Sequence, residues 1–154
     1  MLLAFLAGVH LEGDSRVGRV ALETAEAKAA LGFWTALASG ILANMLVCLT
    51  VWLAFGARSA AGKVLVIIPP IAAFVALNLE HSVANMSLIP LGWIIKEFAA
   101  AEFWTEAGVQ AIDFPALTIG GFARNLLAST IGNVIGGMLV GMAYWFAYLH
   151  DGDT

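Results

Sequence analysis

The chain has 154 residues, of which 61% are hydrophobic and only 12% charged, with a formal net charge of −4 and a mean hydropathy of +0.90. A soluble domain carries about a quarter charged residues, so this chain cannot cover its apolar surface in water and its solvent is a bilayer. No basic run offers a footing to nucleic acid, and a single cysteine, Cys48, excludes an internal disulfide or a thiolate metal centre.

The opening MLLAFLAGV is apolar but too short to span. With no basic residue before it and no small-residue cleavage site, it also makes a poor signal peptide. Residues 10–28, HLEGDSRVGRVALETAEAK, collect charge and read as a connection. The block 29–57 is 29 residues long without a charge. A crossing helix needs about 20, which leaves length for tilt. Trp34 and Trp52 near its ends suit interfacial positions.

A loop at 58–63 leads to a second apolar block, 64–95, whose ionisable residues are Glu80 and His81, side by side. As one straight helix it would be about 48 Å long, against a hydrocarbon core of about 30 Å. It also holds Pro69, Pro70 and Pro90 and the polar residues Asn78, Ser82 and Asn85. Two half-helices, roughly 65–77 and 83–96, joined by a non-helical turn at NLEHS, resolve both problems. Such backbone at membrane depth is tolerated only where it is buried in protein or lines a watery cavity, and broken helices near the midplane point to transport sites. Ser82 is expected to cap the second half-helix, whose first amides and positive dipole end would welcome an anion. Ionisable residues inside a membrane are functional by default; the alternative for Glu80 and His81 is that they only tie helices together.

In 96–113, Phe98, Phe103 and Trp104 alternate with acids, which fits an amphipathic surface helix and a solvated loop equally. The block 125–149 is a third uncharged span, closing with Tyr144, Trp145 and Tyr148. The alternating segments of about ten residues that a barrel needs are missing from the sequence. The fold class is an all-α membrane protein of three spans, the middle one broken. Gly32, Ala36, Gly40 and Asn44 recur every fourth residue, and Gly132 with Gly136 and Gly137 with Gly141 form GxxxG pairs, the signature of close helix contact. Asn44 and Asn133 either bridge helices or face a pore. With three spans, Arg16, Arg19, Lys28, Lys96 and Arg124 share one side and Arg58 and Lys63 the other, with His10 and His150 neutral. The positive-inside tendency would put the longer loops in the cytoplasm.

FVALNLEHSVANMSLIPLG resembles the signature of the formate/nitrite transporter family, in which A-F-V-A is followed after three residues by E-H-S-V/I-A-N-M and then I-P. SGILANMLVCLTVWLAFGARSAAGK is similar to that family's fourth span and the loop after it, and TIGNVIGGMLVGMAYWFAYL to its sixth. The resemblance implies a homopentameric inner-membrane channel or transporter, with one pore per protomer and an aquaporin-like inverted repeat of three plus three spans. It implies His81 as the central pore histidine, Asn44 as the amide that meets it, Phe74 in an apolar constriction, and Lys28 as the basic residue that draws anions in. Lys28 and Asn44, about 160° apart around a straight helix, would not share a face; Lys28 belongs before or at the helix entrance. The chain corresponds to the family's second half, with MLLAFLAGVHLEGDS as the tail of the third span and its loop. The first half of the fold, including a polar loop that breaks the second span, is expected as a partner. Ala128 and Ser129 stand where the family commonly has Pro-Val. The family orientation, tail in the cytoplasm, opposes the charge count and outweighs it, because it rests on residue-by-residue matches.

The expected function is passage of a small monovalent weak-acid anion, formate, nitrite or similar, linked to a proton through His81. Glu80 is expected to hold a neighbouring helix or loop, with Ser82 and Asn85 supporting the break. No cofactor or resident metal is expected. The rivals are a truncated, non-conducting membrane scaffold of the same fold, and an intramembrane enzyme using Glu80 and His81 as acid and base. For the latter the sequence supplies no nucleophile cluster.

Overall fold

Every regular element among the described residues of the computed structural model is a helix. The structure describes residues 1–149; His150 and the acidic tail after it lie outside the described residues. In chain order come α1 (Leu2–Leu6), a 3-10 turn (Val9–Leu11), α2 (Arg16–Ala30), α3 (Phe33–Gly56), α4 (Ala60–Ala76), α5 (Ser82–Phe98), α6 (Ala101–Ala107), a second 3-10 turn (Ala111–Asp113) and α7 (Ile119–Tyr148).

Several boundaries differ from the sequence reading, each for a local reason. Residues 10–28, read as a connection, contain helix α2, which also takes Ala29 and Ala30 away from the first span. It stops where Leu31 turns extended (φ −57°, ψ 137°), so Gly32 precedes α3 and drops out of its small-residue seam. Helix α4 starts at Ala60, earlier than expected, because the Ser59 hydroxyl accepts the Gly62 amide at 3.0 Å and caps it. The middle block is two helices, α4 and α5, separated by the turn at residues 77–81.

The chain divides into two compact units. One comprises Met1–Phe33 with Ser82–Leu127, the other Trp34–His81 with the chain from Ala128 onward. In the first, α2 packs on α5 around Leu22, Ala25, Ala29, Ile89, Ile95 and Phe103. The approach is close: a Cβ added to Gly92 would strike the Ala25 methyl. Phe103 on α6 is fully buried in this core while Phe98 is exposed. The amphipathic segment at 96–113 therefore turns its principal aromatic into protein. Both Glu26 carboxylate oxygens accept backbone amides, from Ala116 at 2.9 Å and Leu117 at 3.0 Å. Lys96 donates to the carbonyls of Phe114 (2.8 Å) and Leu117 (3.3 Å). Two charged side chains thus satisfy the non-helical backbone leading into α7, as buried peptide groups require.

His10 also belongs to this unit. Its ring is buried, stacked on Phe5 (centroids 4.5 Å apart, 16° between planes) and tilted against Phe103. Its Nδ1 has no hydrogen-bond partner. Burial among apolar groups holds His10 below its ordinary value of 6.5. The unfolded chain then binds the proton more readily. His10 contributes stability above the ordinary value, and that contribution is lost as pH falls through the lower folded one. The unfolding temperature of the detergent-solubilised protein is expected to fall between about pH 7 and about pH 5. His10→Phe should remove that part of the fall; an unchanged slope in the variant would assign it to other groups.

The second unit is built on α3 against the later part of α7. A Cβ on Gly132 would strike the Leu37 carbonyl and one on Gly136 the Ile41 carbonyl, while one on Gly40 would lie 2.9 Å from the Ser129 carbonyl. Gly132, Gly136 and Gly40 thus form the seam. The second pair does not: Gly137 faces the Asn44 amide, but Gly141 faces open space. Trp52 meets Tyr144 and Tyr148 edge-on at 5.5 and 6.0 Å. Only 22% of the most apolar window of α3, and 28% of that of α7, is buried. Their apolar side chains point mainly outward, which distinguishes these helices from the core helices of a soluble protein and fits lipid as their surroundings.

Candidate functional site at the helix break

Helix α4 ends in a two-bond C-terminal cap. Asn78 takes a left-handed backbone (φ 47°), the Asn78 amide bonds the Val75 carbonyl at 3.0 Å, and the Leu79 amide bonds the Phe74 carbonyl at 3.3 Å. Asparagine is one of the few residues that accept this conformation cheaply. The next amide, of Glu80, donates to the Ser39 hydroxyl at 3.0 Å. The Glu80 carbonyl accepts from the Asn133 side-chain amide at 3.0 Å, and the same nitrogen also reaches the Gly40 carbonyl at 2.8 Å. The break is therefore held by side chains of α3 and α7, and its peptide groups are satisfied within protein.

This geometry settles the role of Asn133 as a bridge from α7 to α3 and to the turn. Ser39, the other support, was missed; nothing but its place next to Gly40 sets it apart from any serine in an apolar helix. Glu80 is 1% exposed. His81 is partly exposed and meets Phe74 edge-on, ring centroids 5.9 Å apart and planes at 82°. The cap on α4 makes this pairing, because it folds the chain back over the last turn that carries Phe74. Asn44 donates to the Asn133 backbone carbonyl at 2.6 Å. Ser82 is the first helical residue of α5 and is buried.

Lys28 and Asn85 belong to the other unit. Lys28 lies in the last turn of α2, on its own helix before the first span, and is 4% exposed. Its carbonyl accepts the Asn125 amide at 2.8 Å, and the Asn125 side-chain oxygen accepts from Asn85 at 2.8 Å. Arg124 donates to the next carbonyl, of Ala29, at 2.8 Å. Asn125 and Arg124 were not singled out in sequence, where they look like ordinary polar residues at the mouth of a span. No group of three or more potential metal ligands gathers among the described residues.

The formate/nitrite transporter family model matches residues 1–146. The chain is similar to the formate channel FocA of Escherichia coli (strain K12), at 43% identity over 99% of this chain and 54% of that protein. It is similar to the nitrite transporter NirC of the same strain at 35% identity, over 96% of this chain and 48% of NirC. A solved pentameric formate channel with formate bound superposes with a TM-score of 0.89 at 37% identity, covering 96% of this chain and 59% of that one. The chain thus spans about half the length of these relatives. Their family is one of transporters, which sets aside the intramembrane enzyme. On a match that covers residues 1–146, this chain belongs to the formate/nitrite transporter family.

Proposed function

We propose that this chain forms part of a pore for small monovalent weak-acid anions such as formate or nitrite, in a homopentamer of the cell's inner membrane, with passage linked to a proton through His81. The observation that carries the reading is the edge-on pair of Phe74 and His81 at a helix break whose backbone is tied to α3 and α7. A bare anion crossing an apolar constriction loses its hydration at a large cost. An imidazole next to that constriction lowers the cost by donating a hydrogen bond to the anion, or by handing it a proton so that the neutral acid crosses. Asn44, on α3, supplies a second polar group, and Lys28 draws anions toward the entrance. Glu80 pins the turn. The relatives named formate channel and nitrite transporter support this substrate class, and the pentameric relative supports the assembly.

The test uses proteoliposomes made from the assembly purified from native membranes through a tag on this chain. Imposing a formate gradient should acidify or alkalinise the lumen in step with formate entry or exit. Absence of formate and nitrite flux would overturn the proposal in favour of a non-conducting scaffold, and formate flux without proton movement would remove its proton-linked part.

A further inference from the structure

We infer that the later part of the α3–α7 pair is a binding site for a phospholipid with an anionic headgroup, its acyl chains in two apolar clefts and its phosphate toward Arg58 and Lys63. The two helices are in close contact at Gly132 and Gly136, but farther along α7 a Cβ at Gly141 would meet nothing within 4 Å. Gly137 and Gly141 instead line a cleft of about 240 Å³, with Cys48 and Phe55 among its other walls. A second cleft, of about 410 Å³ and lined by apolar side chains such as Leu46 and Leu139, shares Trp52 and Val140 with the first. An apolar space left empty forfeits the contacts of the atoms that line it, so in a bilayer both clefts are filled. A helix is about 10 Å across, too thick for the smaller cleft, whereas an alkyl chain is slender. Two clefts that meet at one ridge suit the two chains of one lipid.

Toward the end of α3 the lining changes character. A third cleft, of about 400 Å³, lies among Trp52, Phe55, Gly56, Tyr144 and Tyr148, and shares Trp52, Phe55 and Tyr144 with the first. Trp52 meets both tyrosines edge-on. Rings with an apolar body and one polar group belong at the level of lipid headgroups, where a phenol or indole can bond phosphate or glycerol oxygens. Arg58 follows Gly56 by two residues and Lys63 stands in the first turn of α4; both are exposed. Glu80, the one acidic residue among the described residues of this unit, is 1% exposed. The charge that this end presents is therefore positive, and basic residues at a membrane surface attract anionic lipids.

The experiment measures thermal unfolding of the assembly, purified through the tag on this chain and washed in detergent, in micelles with rising dioleoylphosphatidylglycerol or dioleoylphosphatidylcholine. Phosphatidylglycerol should raise the wild-type unfolding temperature to a plateau, as a ligand of the folded state does. Phosphatidylcholine should need about tenfold more for the same rise, the discrimination expected of two exposed cations after screening by salt. Replacing both cations, Arg58→Gln with Lys63→Gln, should abolish that preference and leave the response to phosphatidylcholine unchanged. Gly141→Leu, which fills the first cleft, should match wild type in detergent alone and lose most of the response to both lipids. An equal response of the wild type to the two lipids, a preference that survives loss of both cations, or a full response in Gly141→Leu would overturn the inference. Should Gly141→Leu not assemble, Cys48 reports on the same cleft: phosphatidylglycerol should slow its labelling by N-ethylmaleimide in the wild type, read on the Cys48 peptide, and an unchanged rate would overturn the inference equally. A wild type indifferent to both lipids would give the clefts to protein from elsewhere in the assembly and end the proposal.

Discussion

His81→Ala should assemble normally, yet its anion flux should lose its proton-linked dependence on pH. In the turn that separates α4 from α5, the neighbouring peptide groups are occupied by Ser39, Asn133 and the α4 cap. The side chain that meets Phe74 there is His81. Alanine removes that proton site without touching the bonds that hold the turn, which is why assembly should survive. Glu80→Gln should behave in the opposite way. Glu80 is 1% exposed and its peptide unit is bonded on both sides, to Ser39 and Asn133. A buried polar group left without a hydrogen bond costs about 1–3 kcal/mol, so stability or pentamer yield should fall more than pH sensitivity. Formate and proton fluxes measured across a pH series for both variants decide the matter. A wild-type pH profile in His81→Ala, or its loss in Glu80→Gln alone, would reverse these roles.

Gly136→Leu should be among the most damaging single substitutions in the chain. Hydrophobic burial does not drive helices together in lipid; contact at short range does, and it depends on small residues. At Gly136 even a methyl would enter the space of the Ile41 carbonyl, and backbone cannot swing aside as a flexible side chain can. Overpacking of this kind costs about 1–3 kcal/mol in ordinary cores, and leucine adds four carbons. The seam runs on through Gly132 at Leu37 and Gly40 at Ser129, so parting it at Gly136 also strains the Asn133 and Asn44 bonds that support the break. Gly141→Leu is the control, because a Cβ there meets nothing within 4 Å. Thermal unfolding and oligomer size in detergent should separate the two. Equal stability of both variants would mean that the α3–α7 seam does not hold the fold.

Much of this was legible before any coordinates. Long uncharged blocks announce spans because charged groups are expensive in hydrocarbon. A block too long for the bilayer, carrying prolines and a Glu-His pair, announces a break because helix rise and membrane thickness are both constants. The signature around His81 led to the family from one stretch of chain. Other features were hidden for identifiable reasons. Helix α2 buries Gly18, Ala25 and Ala29 along with Leu22, and small residues carry almost no hydropathy signal, so its packed face passed for a connection. Arg19, Lys96 and Arg124 are engaged with backbone carbonyls, a role that a count of positive charges does not register.

What the sequence by itself determined is the solvent, the helical class, the break and its Glu-His pair, since each follows from composition, length or a local run of residues. Only the tertiary structure decided which groups hold the break. Ser39 and Asn133, and the bonds from Asn85 to Asn125 and from Asn125 to the Lys28 carbonyl, join positions 40 to 97 residues apart. It also decided which glycine pair makes contact, Gly132 with Gly136 rather than Gly137 with Gly141. Two identical spacings on one helix differ only in what the neighbouring helix places opposite them, and spacing along a chain holds no record of that.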